Sequence, residues 1–326
     1  MGFIDTMRAE DHAVESICRV LREQDCRIAA RTYRSWKQTT RPIAARTISD
    51  AHVVDAVRDI AWITEQLGRR GLALEGLCGR RKMTACVRRT VLPEASAGSV
   101  DRAMRTLELV GVRRDKGVRT TISAKDGIRA GDLLNRDFTA TAPNQVWVTD
   151  FTYRRTWLGF VYVAFIVDVF AQRIMTRSVA WYASTSKATD LVMIPPRRAR
   201  WERDREGHPA VPAELIHHCD AGSRYTSIRL TEHLALEQIR SSIGSVGDAY
   251  DNALMETING LCKAECIRAT VFHNGPYQTI ADVEYATAGW VDWYNNRRLH
   301  GSLAMSTPVE YEQAHYAALN PEPQPV

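Results

Sequence analysis

With 326 residues, 45% of them apolar and 25% charged, the chain is long enough for two or three domains and has the make-up of an ordinary globular protein. No apolar run reaches the roughly eighteen residues of a membrane span. The first residues, with Asp5, Glu10 and Asp11, lack the basic-then-apolar pattern of a signal peptide, so a cytoplasmic location is expected.

The net charge of +5 is unevenly distributed: residues 1–137 hold 26 Lys and Arg against 18 Asp and Glu, and the remainder holds 17 against 20. That division suits a phosphate-contacting module ahead of a domain that gathers carboxylates. Seven cysteines with no Cys-x-x-Cys pair read as reduced thiols. Cys262, Cys266 and His217-His218-Cys219 lack the paired spacing of a tetrahedral zinc site, and no zinc is expected.

In chain order, Val14, Ile17, Cys18 and Leu21 share one helical face, the chain turns around Asp25, and a basic, aromatic segment follows to Lys37. This is an N-terminal helical segment, 1–45, with Arg41-Pro42 as linker. From Ile48 to Leu67 a second amphipathic helix carries Val53, Val57, Ile60, Ile63 and Leu67, closed by Gly68–Gly71. Leu77–Met83 opens another helix, and Ser99 is read as the cap of a further one holding Val100, Ala103, Met104 and Leu107 and stopping at Gly111. A basic turn, Arg113–Gly117, closes the region 46–116. Arg102 and Arg105 on the outer side of the last helix are candidate DNA contacts, with solvated arginines as the alternative. Residues 117–143 are polar and read as a linker ending at Ala142-Pro143-Asn144.

From 144 onward strands are expected at Val146–Tyr153, Leu158–Phe170 and Arg173–Ala180, then a helix from Ser186, a strand before Asp220, a helix over Ser227–Leu236, a short strand near Ile239 and a helix from Asp251. Strands first, then alternating helix and strand, fit a mixed α/β sheet with helices on both faces. Residues 280–294 form another amphipathic helix ending in Asn295–His300. Pro308 is expected to end the folded part, leaving 303–326 as a tail with Pro321–Val326 disordered.

Three carboxylates stand out. Asp220 falls at the C-terminal end of a strand, where open sheets present side chains to ligands. Asp150 lies inside a strand of the core sheet, a costly place for a carboxylate that is neither paired nor metal-bound. Glu256 lies on a helix with Leu254, Ile258 and Leu261 as its apolar stripe and Asn252, Glu256, Asn259 and Lys263 as its polar one. A carboxylate, two amides and an ammonium in line suit a metal ion with a phosphate beside it. Asp168, also in an apolar strand, reads as a structural, turn-facing carboxylate.

Trp-Val-Thr-Asp-Phe-Thr-Tyr (147–153), His-His-Cys-Asp-Ala-Gly-Ser-Arg-Tyr-Thr-Ser (217–227), Gly-Asp-Ala-Tyr-Asp-Asn-Ala-Leu-Met-Glu-Thr-Ile-Asn-Gly-Leu (247–261) and Trp-Tyr-Asn-Asn-Arg-Arg-Leu-His-Gly-Ser-Leu (293–303) resemble, in order, the landmarks of bacterial insertion-sequence transposases with a retroviral-integrase (DDE) core. The similarity is greatest to second-frame (orfB-type) products of the insertion-sequence three family, covers about residues 10–316, and includes the hallmark 35 residues between Asp220 and Glu256.

The resemblance implies a ribonuclease H-like catalytic core over 144–302 behind a helix-turn-helix-type DNA-binding domain. It implies cleavage at the 3′ ends of an element and joining of those ends to target DNA, with no covalent protein intermediate. Two Mg²⁺ ions, with Mn²⁺ as a substitute, would be held by Asp150, Asp220 and Glu256, Asp150 bridging them. Lys263 would hold a phosphate of the bound end, Asn252 would orient a water or phosphate, and Arg297 and Arg298 would touch DNA. Implied partners are the element's terminal repeats, target DNA, an upstream first-frame (orfA-type) protein and further copies of the chain on the bacterial nucleoid. Hydroxyl catalysis by Ser223 or Tyr225 lacks an Arg/His constellation.

Several positions depart from the family pattern: Cys78 and Cys262 stand where Tyr is common, Cys219 where Ser is, and Arg224 where Gln is. Pro195-Pro196 falls inside an expected helix, which predicts an early helix end or a decaying copy. The competing readings are therefore a catalytically decayed, transposase-derived DNA-binding protein and a ribonuclease H-type nuclease. The intact triad opposes the first and the basic N-terminal module the second.

Overall fold

The computed structural model describes residues 2–38, 43–64, 70–113, 131–175, 182–186, 190–220, 228–244 and 252–320. The expected features at Leu67, Gly68, Arg114–Gly117, Lys125, Arg129, Ala180, Ser223, Arg224, Tyr225, 245–251 and Pro321–Val326 lie outside the described residues. The chain divides into two units, Met1–His52 and Val53–Val326.

In the first unit, α1 (Gly2–Ala9), α2 (Val14–Glu23) and α3 (Ala30–Lys37) close around Ile4, Val14, Ile17, Cys18 and Tyr33. Tyr33 Oη donates to Asp5 at 2.5 Å, and Lys37 pairs with the same carboxylate at 2.8 Å. The expected turn at Asp25 is present, with φ of 59°. α1 has no counterpart in the sequence reading.

The helix expected over 48–67 is α4 (Ala45–Ala61), and it ends early. Trp62-Ile63-Thr64 is aromatic and β-branched, and it pairs as β1 (Trp62–Thr64) with β2 (Arg70–Leu72) in an antiparallel hairpin. α5 (Arg80–Thr90) and α6 (Ala97–Thr106) follow, packing Met83, Val87, Val100, Ala103 and Met104 against Val53, Ala56 and Val57 of α4. The cap of α6 is Ser96, whose hydroxyl accepts from the Ser99 N–H at 3.0 Å; Ser99 itself lies inside the helix. Gly111 closes the module against Gly79. A Cβ there would stand 2.4 Å from the Gly79 Cα, so only glycine permits the approach.

The main sheet is built from β3 (Val146–Thr156), β4 (Gly159–Asp168), β5 (Arg173–Ile174), β6 (Tyr182–Ser184), β7 (Ile216–Cys219) and β8 (Arg240–Ile243). Its order is β5-β4-β3-β7-β8, with β6 also on β4. β3 and β4 are antiparallel, whereas β7 and β8 join β3 in parallel. Alternation along the strands divides the core. Val148, Val163, Phe165 and Val167 face α9 (Ala253–Leu261) and α10 (Ile280–Asn296). Trp147 and Ile166 face α7 (Asp190–Arg205) and α8 (Ile228–Leu236). This is the ribonuclease H-like mixed sheet expected.

Three expectations are corrected here. α7 continues through Pro195 and Pro196. Both prolines fall in its second turn, so only the carbonyls of Leu191 and Val192 lose an i+4 donor. Residues 303–326 are not a plain tail: α11 (Pro308–Leu319) follows a capping box in which Thr307 and Glu310 satisfy each other's backbone N–H groups. Pro308 opens this helix at its first position, where its missing N–H costs nothing. Finally, the end of the presumed linker belongs to the core, since Leu134 is buried there, Phe138 and Ala140 pack beside it, and the Leu133 N–H donates to Ser242 Oγ at 2.9 Å.

α11 is tied in by charge. Arg203, fully buried, pairs with Asp168 at 3.2 Å and with both Glu312 oxygens, and Arg173 reaches Glu312 at 3.1 Å and Glu206 at 2.5 Å. Asp168 also accepts from the backbone N–H groups of Asn144 and Phe170, which makes it the structural carboxylate expected.

Candidate active site

The parallel register of β3 and β7 ends at Thr149↔Cys219; the next residue in each segment is an aspartate, Asp150 still within β3 and Asp220 just past the end of β7. Neighbouring strands lie about 4.8 Å apart, so the two aspartates follow directly on a pair of adjacent strand positions. β7 is held in place by burial: His217, His218 and Cys219 are all enclosed, and the His218 ring is 2.9 Å from Ser242 Oγ on β8. Burial holds His217 down at about 4, a neutral ring at physiological pH.

Asp150 is the electrostatic centre. Burial pushes its carboxyl up to about 7, and the charges of Asp220 and, more weakly, Glu256 push the same way; the Phe151 N–H and Lys263 oppose them. Asp220, Glu256 and Lys263 therefore all act on Asp150, although the four are spread over 114 positions from Asp150 to Lys263. The Phe151 N–H donates to Asp150 Oδ1 at 2.7 Å, and Asn259 Nδ2 donates to Oδ2 at 2.8 Å.

The polar stripe expected around Glu256 is only partly exposed. Glu256 and Lys263 face outward, whereas Asn252 and Asn259 are buried. Asn252, expected to orient water or phosphate, instead donates its amide to the Thr149 carbonyl at 3.0 Å and fastens the start of α9 to β3. The buried stripe is centred on Met255, Ile258, Cys262 and Cys266, with Leu254 and Leu261 at its margins. After Leu261 the helix widens into a π-helix, Cys262–Ile267, and Lys263 lies on it with Nζ 5.7 Å from the Tyr153 ring.

Among the described residues no three His, Cys, Asp or Glu side chains are drawn close enough to enclose an ion. The donor set still fits a hard divalent cation: the charges of Asp220 and Glu256 act on the buried Asp150 carboxyl, and the Oδ1 atoms of Asn252 and Asn259 are buried without partners.

Integrase core domain families match residues 140–249 and 237–308. A Shigella sonnei transposase for insertion sequence element IS629 is 40% identical over 319 residues, covering 98% of this chain and 97% of that protein. A Mycobacterium tuberculosis protein named for insertion sequence element IS986/IS6110 is 44% identical over 255 residues, covering 78% of this chain and 88% of its own. The chain belongs to the bacterial insertion-sequence transposases. Among solved structures, the HTLV-2 integrase catalytic core domain in complex with magnesium is similar at a TM-score of 0.38 and 16% identity, covering 53% of this chain and 98% of that one.

The transposase's candidate DNA contacts fare unequally. Arg105 is exposed and pairs with Asp101, and Arg102 is half-buried on the same helix. Arg297 is exposed but grips Glu75 through Nε and Nη2 at 2.9 and 2.7 Å. Arg298 is withdrawn from solvent, and the expectation of a DNA contact there is corrected. Its guanidinium forms three bonds of 2.7 to 3.1 Å to Glu265 and lies near the rings of Trp293 and Tyr294. Asn259 was visible in sequence only as a member of the polar stripe, three residues from Glu256; its bond to Asp150 depends on how α9 docks on β3.

Proposed function

We propose that this transposase cuts DNA at the ends of its insertion element and joins those ends to target DNA, with Asp150, Asp220 and Glu256 as its catalytic carboxylates. The observation that carries this reading is the register of β3 and β7, which ends one residue before both Asp150 and Asp220, and the charges of Asp220 and of Glu256 on α9 acting on Asp150 support it. Asp150, Asp220 and Glu256 would hold two Mg²⁺ ions, or Mn²⁺ in their stead, because oxygen-only ligands suit these hard cations. Such a pair, when bound, supplies stabilisation of charge on the entering and leaving oxygens of a phosphodiester.

The chain's own residues do the positioning. The Asn259 amide fixes the Asp150 carboxylate, Asn252 fixes the helix that carries Glu256, and Lys263, which is exposed, would hold a phosphate of the bound end. Arg102 and Arg105 are proposed to contact the terminal repeat. An upstream first-frame protein and further copies of the chain complete the assembly on DNA. No helix among the described residues is long and apolar enough to cross a membrane.

The test incubates the protein, alone and fused to the upstream frame, with labelled element ends and Mg²⁺. Glu256→Gln is expected to abolish cleavage and joining while DNA binding persists. Equal activity in that variant would reject the site. The decayed-copy reading requires that the unmodified fusion also fail to cut.

A further inference from the structure

β7 stops beside Thr149, and among the described residues no strand neighbours that edge of β3 beyond Asp150. β3 and β4 nevertheless run on together, and their last three pairs, Arg154↔Val161, Arg155↔Phe160 and Thr156↔Gly159, form an arm beyond the reach of β6. At its tip Trp157 and Leu158 are 72% and 79% exposed. Two large apolar side chains at the end of a paired arm contribute nothing to a core, and such exposure marks a contact surface.

The tip is braced. The Trp157 N–H donates to the Tyr277 carbonyl at 3.2 Å, the Arg154 guanidinium lies 4.9 Å over the Tyr277 ring, and Tyr277 Oη donates to the Cys266 carbonyl at 3.2 Å. Cys266 belongs to the π-helix that carries Lys263. Along the arm, Tyr153 and Phe160 pack edge to face at 5.6 Å, and Lys263 stands by the Tyr153 ring. Lys263, Tyr153 and Phe160 are thus in contact in sequence along the arm, and exposed Arg155, paired with Phe160 across it, precedes the tip. The segment 151–167 contains two arginines and no acidic residue.

We propose that Trp157 and Leu158 form an apolar wedge seated in the minor groove of the element-end duplex, with Arg155 and Lys263 on its phosphates. The occupant is argued from charge and continuity: this row of residues is cationic and acid-free, as a polyanion requires, and it begins at the lysine assigned to the bound end. Uncharged wedges between base steps are a recurrent way for proteins to grip and bend a duplex. Seven residues of extended chain separate Asp150 from Trp157, about 23 Å at 3.3 Å per residue, which corresponds to about seven base pairs of duplex. The inference rests on the proposed action at element ends.

The test uses the full chain and a duplex bearing the terminal repeat that flanks the gene, with 2-aminopurine placed at successive positions. Wild type is expected to raise the fluorescence at one step, about seven base pairs from the cleaved phosphate. Trp157→Ala should lose that signal and bind the duplex about tenfold more weakly, the scale of one lost aromatic stack, while Trp157→Phe retains both and circular dichroism confirms the fold. Asp150→Asn should keep the signal yet cut nothing. If Asp150→Asn loses cutting while Trp157→Ala keeps signal and affinity, the wedge is wrong and the enzyme reading stands. If wild type cuts no end and lights no position, both fail. A change in sedimentation of Trp157→Ala with DNA contact intact would make the tip a protein interface and overturn the proposal.

Discussion

Replacing Arg298 with Met separates a structural arginine from a DNA-binding one. The guanidinium donates Nε to both Glu265 oxygens at 3.1 and 2.9 Å and Nη2 to Oε1 at 2.7 Å, and both residues are buried. Methionine keeps the length and apolar stem but strands the carboxylate, leaving it the Trp290 indole N–H at 3.3 Å and the charge of Lys82 nearby. Breaking a buried pair from one side costs about 3–5 kcal/mol, because the remaining charge has lost its water and its partner. With a urea dependence of about 2–3 kcal/mol per molar, the unfolding midpoint should fall by about 1–2.5 M. Substituting both partners, Arg298→Met with Glu265→Leu, removes the stranded charge and should restore most of that loss. The fall of log affinity with log salt on terminal-repeat DNA should keep its slope, whereas a lost phosphate contact would reduce it by about 0.9. An unchanged midpoint together with a reduced slope would show that Arg298 works on DNA after all.

Two further outcomes follow from buried charge. Asp150 has a folded pKa of about 7 against an ordinary 3.8, so its contribution to stability is full below pH 3.8 and is lost as pH rises to 7. Without divalent ions, Asp150→Asn should therefore be more stable than wild type at pH 8 and indistinguishable at pH 3.5 by thermal unfolding. Added Mg²⁺ should raise the Tm of wild type alone, and an equal rise in the variant would remove Asp150 from the metal site. Deleting residues from Pro308 onward takes Glu312 from Arg203 and Arg173, and the truncated chain should lose at least about 3 kcal/mol or fail to fold. An unaltered Tm would make α11 an appendage.

Sequence alone determined the elements whose cause is local. The apolar run of β4, the alternation in β3 and the helical period of α10 follow from period and propensity, and the proposal of Asp150, Asp220 and Glu256 rests on flanking motifs that are continuous stretches. Elements caused by partners elsewhere were not. Trp62-Ile63-Thr64 continues a helical pattern until Arg70-Gly71-Leu72 offers it a strand. Pro308 reads as a terminator until the Thr307–Glu310 box and buried Glu312 make it a helix start. Arg297 and Arg298 are adjacent, identical in chemistry and indistinguishable by composition. Only the docking of α10 on the π-helix sends one into a carboxylate pocket and leaves the other half in solvent. The same holds at the site: the chain supplies three acids, but their shared field exists because a parallel strand stops one residue short of Asp220 and a helix packs beside it. Side-chain identity is written in sequence, whereas desolvation and mutual distance are set by tertiary packing, and it is these that turn an ordinary aspartate into Asp150.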